Sequence, residues 1–257
     1  MTVTDVNEFD PVFDPTIPYT DSLLENSAIG FTVKDIGATD ADLSDTTLTF
    51  SITGGNTEGK FSIDSVTGVI VLQGTLDRET TAAYTLNLEV ADGTGAGSRT
   101  ATTSIVITVD DVNDNDPTCS QTAYAAFVAE DATAVVTLVC SDVDTLTPTV
   151  RYTLLAAGNT GTAFGIDSST GVLSVVGAID YETLTSYSLV VEVDDMATPA
   201  RTTTVPVTVT ITPVNEAAPA FPIGGYGNTD VVESTAIGAD VITVAATDTD
   251  KGLLHGK

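Results

Sequence analysis

The 257-residue chain has no tryptophan, a single histidine, two cysteines and only eight lysines and arginines. Each scarcity excludes something. Thirty-six acids against those eight bases leave a formal charge of −28, which argues against nucleic-acid binding, where lysine and arginine must neutralise phosphate. The lone histidine, His255, stands almost at the C-terminus and reads as a solvated terminal residue, so a Ser-His or Cys-His catalytic pair has no base in the body of the chain. No apolar run approaches the roughly 18 residues of a membrane-spanning helix. Thr2-Val3-Thr4-Asp5 lacks the basic start and apolar stretch of an export signal. No Asn-Xaa-Ser/Thr acceptor occurs, so N-glycosylation is not expected. Nor does any segment carry a sustained helical stripe.

What the chain has is a repeated acidic linker. Asp111-Val112-Asn113-Asp114-Asn115-Asp116-Pro117 has variants in Asp5-Val6-Asn7-Glu8-Phe9-Asp10-Pro11 and Pro213-Val214-Asn215-Glu216-Ala217-Ala218-Pro219. The central asparagines are spaced by 113 − 7 = 106 and 215 − 113 = 102 residues, about one small domain each. Other acidic marks keep the same beat. Glu25 recurs as Glu130 and Glu233; Asp40-Ala41-Asp42 as Asp142-Val143-Asp144 and Asp248-Thr249-Asp250; Leu76-Asp77-Arg78-Glu79 as Ile179-Asp180-Tyr181-Glu182; and Asp92 as Asp195. A surface kept soluble by scattered acids, extracellular or halophilic, would not place them at fixed intervals. Clustered carboxylates and amides are the hard oxygen donors that calcium takes, about six to eight at a time.

Between these marks Val, Ile, Thr and Tyr alternate in period two, as in Tyr84-Thr85-Leu86-Asn87-Leu88-Glu89-Val90 and Thr204-Val205-Pro206-Val207-Thr208-Val209-Thr210-Ile211. Phe61-Ser62-Ile63-Asp64 leads through Thr67-Gly68, and Phe164-Gly165-Ile166-Asp167 through Thr170-Gly171, into a second apolar run. The glycine can take positive φ and the aspartate can bond its own turn, so each pair is expected to be a hairpin. Roughly seven short strands per period predict an all-β chain of tandem two-sheet antiparallel sandwiches. Cys119 and Cys140 fall at the start of one expected strand and the end of the next, where antiparallel pairing would bring them together; a disulfide is expected, in keeping with an oxidising compartment. Tyrosine and phenylalanine at alternating positions are expected in the core.

Taken together these marks resemble the extracellular cadherin repeat: a Glu after the first strand, an Asp-Xaa-Asp, a Leu-Asp-Arg-Glu, a late Asp and an Asp-Xaa-Asn-Asp-Asn-Xaa-Pro linker, all in order over nearly the whole chain. The resemblance implies seven-stranded Greek-key, immunoglobulin-like sandwiches in an elongated array, with three calcium ions at each linker. It divides the chain into a linker from a preceding repeat (1–13), a repeat (14–112), a calcium-binding linker (113–116), a second repeat (117–214) and a linker with the truncated start of a third (215–257). The chain is therefore expected to be a fragment of a longer array.

Carried over position by position, the central linker would draw Glu25, Asp77 and Glu79 from the first repeat and Asp111, the Val112 carbonyl, Asn113, Asp114 and the Asn115 carbonyl from the linker. Asp142, Asp144 and Asp195 would come from the second repeat. Eight carboxylates then face six positive charges. The second linker would use Glu130, Asp180, Glu182, Val214, Asn215, Glu216, Ala217, Asp248 and Asp250, with Pro213 in the place of Asp111 offering no side-chain oxygen, so it is expected to bind more weakly. Asn7 and Phe9 with Asp40, Asp42 and Asp92 form the corresponding set at the start of the first repeat. By the same resemblance the function is calcium-dependent cell-cell adhesion from the extracellular part of a membrane-anchored plasma-membrane protein. The partner would be a cadherin-type protein, another copy included. The alternative is a calcium-stiffened spacer, or a matrix or carbohydrate-binding module, without an adhesive surface of its own; the absent tryptophan removes the strand-swapping mode of adhesion.

Two other chemistries fail. An EF-hand loop needs glycine at its sixth and glutamate at its twelfth position, where counting from Asp111 gives Asp116 and Thr122. Paired carboxylates could serve a glycosidase, but a catalytic cleft needs one singular constellation and these acids recur once per repeat. No enzyme is expected.

Overall fold

A computed structural model of the chain describes residues 6–42, 47–93, 97–144, 149–221 and 230–250. His255 and the Thr2-Val3-Thr4-Asp5 segment lie outside the described residues. The chain divides into two compact units, Met1–Asp114 with Val143–Leu146, and Asn115–Asp142 with Thr147–Lys257.

The first unit contains β1 (Val12–Phe13), β2 (Thr20–Leu24), β3 (Thr32–Asp35), β4 (Ala38–Thr39), β5 (Thr49–Gly54), β6 (Phe61–Ile63), β7 (Val69–Leu72), β8 (Ala83–Ala91) and β9 (Thr100–Asp110). The second repeats the series as β10 (Thr118–Cys119), β11 (Tyr124–Ala129), β12 (Ala134–Thr137), β13 (Cys140–Ser141), β14 (Arg151–Leu154), β15 (Phe164–Ile166), β16 (Val172–Val175), β17 (Ser186–Asp194) and β18 (Thr202–Thr212). In the first, a four-stranded sheet ordered β2-β9-β8-β5 faces a three-stranded sheet β3-β7-β6, and β1 pairs separately with β4. The second unit has the same orders: β11-β18-β17-β14, β12-β16-β15 and β10-β13. The alternation seen in the sequence is an alternation of burial. Tyr84, Leu86, Leu88 and Val90 of β8 and Ile105, Ile107 and Val109 of β9 point into the core with Phe61, Ile70 and Leu72 from the other sheet. Their counterparts in the second unit are Tyr187, Leu189, Val191, Val193, Val205, Val207, Val209 and Ile211, packed on Phe164 and Leu173. Corresponding aromatic pairs stand edge-to-face in the two cores, Phe61 on Tyr84 at 5.1 Å and Phe164 on Tyr187 at 4.9 Å. Not every aromatic is inside: Phe127 of β11 is 78% exposed.

The sheets are not wholly antiparallel, contrary to the expectation from the sequence pattern. β2 pairs in parallel with β9, Leu24 opposite Asp110, and β11 pairs in parallel with β18, Ala129 opposite Thr212. The leading segment first pairs with β4 through β1, or with β13 through β10, and its continuation, β2 or β11, then lies on the free edge of the last strand, which runs in the same direction. A parallel pair puts the ends of its two strands side by side, and this positions the residues described below.

Both expected hairpins form. Asp64 Oδ1 accepts the amides of Val66 at 3.0 Å and Thr67 at 2.8 Å, and Asp167 Oδ1 those of Ser169 at 3.0 Å and Thr170 at 2.8 Å. Gly68 and Gly171 take φ of +75° and +68°, and a Cβ at either would collide with a carbonyl, that of Ile36 or Leu138. Cys119 and Cys140 lie directly opposite one another in the β10–β13 pair and are joined by a disulfide. Beyond β18 the described residues contain one bridge, Ala220 to Thr247, and no named strand.

Candidate metal centres

Among the described residues, four groups of carboxylates bring one oxygen from each member within 4.8 Å of one another: Glu25, Asp77 and Glu79; Glu79, Asp111 and Asp144; Asp40, Asp42 and Asp92; and Glu130, Glu182 and Glu216. Strand ends explain the groupings. Glu25 directly follows β2 and Asp111 directly follows β9, and the parallel register delivers both to one end of the sandwich. Asp92 follows β8, and Asp40 and Asp42 follow β4.

Glu25 is 5% exposed, and its two oxygens are used by different segments. Oε2 accepts the Arg78 amide at 2.7 Å and Oε1 the Val112 amide at 2.9 Å. Glu130 does the same in the second unit, taking the amides of Tyr181 at 2.8 Å and Val214 at 2.6 Å. Asp77 and Asp180 cap the loops that carry them: Oδ1 accepts the amide, and Oδ2 meets the hydroxyl, of Thr80 and Thr183 respectively. Partial burial pushes the Glu79 carboxyl above its ordinary range, with the Glu25, Asp111 and Asp144 carboxylates pushing the same way. Glu216 is raised chiefly by the Glu130 carboxylate, then by burial and by Asp250, Glu182 and Asp180.

At the start of the first unit, Asp42 Oδ2 accepts the amides of Glu8 at 3.1 Å and Phe9 at 3.0 Å, while the Asp42 amide bonds Asp40 Oδ1 at 2.8 Å. Asp250 receives the Ala217 amide in the same manner, at 3.1 Å to Oδ2, and its own amide bonds Asp248 Oδ1 at 3.0 Å. Asp92 Oδ1 accepts the Arg99 amide at 2.8 Å, which holds its carboxyl below the ordinary range. Three oxygens here, Asn7 Oδ1, Asp40 Oδ2 and Asp92 Oδ2, are shut off from solvent without a hydrogen-bond partner. A buried acceptor left unmatched costs about 1–3 kcal/mol, more when charged. A hard cation at the Asp40, Asp42 and Asp92 group would meet oxygen donors alone, as calcium requires.

Asp142, Asp144 and Asp195 are buried, and Asp195 Oδ1 accepts the Arg201 amide at 3.1 Å. Asn113 has a buried side-chain oxygen, whereas Asp114, Asn215 and Glu216 are exposed and Asn115 half-buried. Two arginines escaped the sequence reading. Arg99 Nη1 reaches Asp10 Oδ1 at 2.7 Å and Arg201 Nη1 reaches Asp116 Oδ1 at 2.9 Å, so each arginine ties the loop after a late Asp to the residue before a linker proline. The signal available was their recurrence, 201 − 99 = 102 and 116 − 10 = 106 residues apart.

Tandem Greek-key sandwiches carrying groups of carboxylates at the strand ends define a β-sandwich repeat protein with candidate cation centres. The chain belongs to the cadherin family: the Cadherin domain model matches residues 19–110 and 124–212. It is 36% identical over 259 residues to the human Cadherin EGF LAG seven-pass G-type receptor 2, covering 97% of this chain and 9% of that protein. To human Protocadherin Fat 1 it is 34% identical over 255 residues, covering 97% and 6%. The chain thus spans less than a tenth of the curated relatives named here. Among solved structures, mouse Cadherin-23 EC22-24 superposes with a TM-score of 0.73 at 28% identity, covering 95% of this chain and 80% of that one. The Protocadherin gammaB7 EC3-6 cis-dimer structure gives 0.86 at 26% identity, covering 97% and 63%. These are cadherin ectodomain repeats, a family of non-enzymatic modules. No helix among the described residues is long and apolar enough to cross a membrane.

Proposed function

We propose that the chain is a calcium-binding piece of a cadherin ectodomain. Calcium held by the acid groups at the repeat ends stiffens the linkers for calcium-dependent adhesion outside the cell, and the parent protein is anchored in the plasma membrane. The observation that carries the calcium reading is the trio of unmatched acceptors, Asn7 Oδ1, Asp40 Oδ2 and Asp92 Oδ2. Shielded protein oxygens left unmatched beside the Asp40, Asp42 and Asp92 group are suited to a hard cation, and family membership supplies the matching chemistry. By the family ligand pattern, Glu25, Asp77, Glu79, Asp111, Val112, Asn113, Asp114, Asn115, Asp142, Asp144 and Asp195 serve the central linker. Glu130, Asp180, Glu182, Val214, Asn215, Glu216, Ala217, Asp248 and Asp250 serve the following one.

Calcium calorimetry on the wild type and on Asp40→Asn and Asp92→Asn tests this. The wild type should bind several ions and each variant fewer or more weakly; a wild type without binding heat contradicts the reading. The adhesive partner is a cadherin-type protein, another copy of the same chain included, a reading supported by the cis-dimer of Protocadherin gammaB7 EC3-6. Calcium-dependent self-association in sedimentation would favour adhesion between copies. A strictly monomeric protein in calcium would favour a stiffened spacer.

A further inference from the structure

Arg78 Nε lies 3.2 Å from Asp111 Oδ1 and 3.7 Å from Glu79 Oε1, with the Arg78 side chain 15% and that of Asp111 6% exposed. Their segments are already stapled at the backbone, because Glu25 accepts the amides of both Arg78 and Val112. In the second unit the backbone staple persists unchanged, Glu130 accepting the amides of Tyr181 and Val214. The side-chain pair does not persist. Tyr181 stands for Arg78 and Pro213 for Asp111, and Tyr181 packs against the apolar core. Both partners are replaced together, within a frame that could have held either one alone.

Charge burial explains why the replacement is joint. A shielded carboxylate stripped of its arginine is an uncompensated buried charge, more costly than having neither group. The contact is a charge pair through the guanidinium Nε, and an outer-shell charge of this kind biases the orientation of a metal-ligating carboxylate.

We propose that Arg78 is the positioning residue for Asp111, holding that carboxylate in the orientation in which it serves a cation. A carboxylate placed at 213 will then bind only when an arginine also stands at 181. This rests on the calcium reading of Asp111, and the experiment separates the two. Melting of wild type, Arg78→Gln, Asp111→Asn and the double variant in chelator measures the pair without calcium. The double variant should melt above the temperature expected from adding the two single losses, and simple additivity would overturn the pairing.

Calcium titration then measures positioning. Arg78→Gln should weaken binding by about tenfold, with Arg78→Lys keeping the charge but losing the Nε contact and falling in between; unaltered affinity in Arg78→Gln would overturn the role. In the second unit, Pro213→Asp with Tyr181→Arg should tighten binding over wild type where Pro213→Asp alone does not. Equal tightening by the single variant would contradict the coupling. A wild type that binds no calcium refutes the calcium reading, and the chelator cycle then decides the Arg78–Asp111 pairing by itself.

Discussion

Glu25 bonds Val112 across 87 residues of sequence, its Oε1 accepting the Val112 amide at 2.9 Å while Oε2 holds the Arg78 amide at 2.7 Å. One buried carboxylate thereby closes the end of the first sandwich onto the segment that leaves it, before any ion is considered. Glu25→Ala should cost about 2–4 kcal/mol, since two shielded amides lose a charged acceptor. Glu25→Gln should also destabilise, because its NH₂ group turns a donor toward one of those amides. Denaturant unfolding in chelator checks this without calcium, and Glu130→Ala should behave alike through Tyr181 and Val214.

Asp144 and Asp64 are both acids in loops between strands, and only one should matter to calcium. Asp144 is fully buried and lies within 4.8 Å of the oxygens of Glu79 and Asp111. Asp64 spends its Oδ1 on its own turn. Calcium titration of Asp144→Ala should show lost affinity and that of Asp64→Ala wild-type affinity; equal affinities would remove Asp144 from the ligand set.

Asp64 and Asp167 should shape stability in acid instead. The turn amides, that of Thr67 foremost for Asp64 and of Thr170 for Asp167, hold both carboxyls below their ordinary range. A depressed folded pKa gives stability that is fully present above the unfolded value, near 3.9, and is lost as pH falls through the folded one. Asn at both positions can still accept the amide bonds but does not titrate. The double Asn variant should therefore lose less stability than wild type between about pH 5 and pH 2. Chemical denaturation across that range checks the sign.

The Cys119–Cys140 bridge closes a loop with a sequence separation of 21 residues. In the chain-entropy account its removal costs about 3 kcal/mol. Cys119→Ser with Cys140→Ser should lower the unfolding free energy of the second unit by that order and leave the first unit unchanged. Intact mass with thiol trapping of the unreduced wild type should find no free thiol.

Much of this was legible in the chain because period-two alternation and turn residues act locally. Tyr84 to Val90 fixes which face of β8 is buried, and Asp64 and Asp167 announce their hairpins through bonds spanning a few residues. The resemblance also put Glu25 with Asp77 and Glu79, and one oxygen of each lies within 4.8 Å of the others. The parallel course of β2 and β11 was not legible, since an edge strand alternates in the same way whichever direction its neighbour runs. Nor was the work of Glu25 as an acceptor of backbone amides, because an amide has no side-chain signature. The Arg99–Asp10 and Arg201–Asp116 pairs passed unnoticed because arginines on so acidic a chain read as ordinary surface charge.

The central claim is that calcium belongs to the folded structure, and melting in millimolar calcium against chelator, with scattering recorded on the same samples, tests it most directly. An ion bound only by the folded state adds about 2.7 kcal/mol at a hundredfold excess over its dissociation constant, worth on the order of ten degrees for domains of this size. Calcium should raise the melting temperature by that order and leave a longer, straighter scattering envelope. The same melting temperature and envelope in calcium and in chelator would contradict the account.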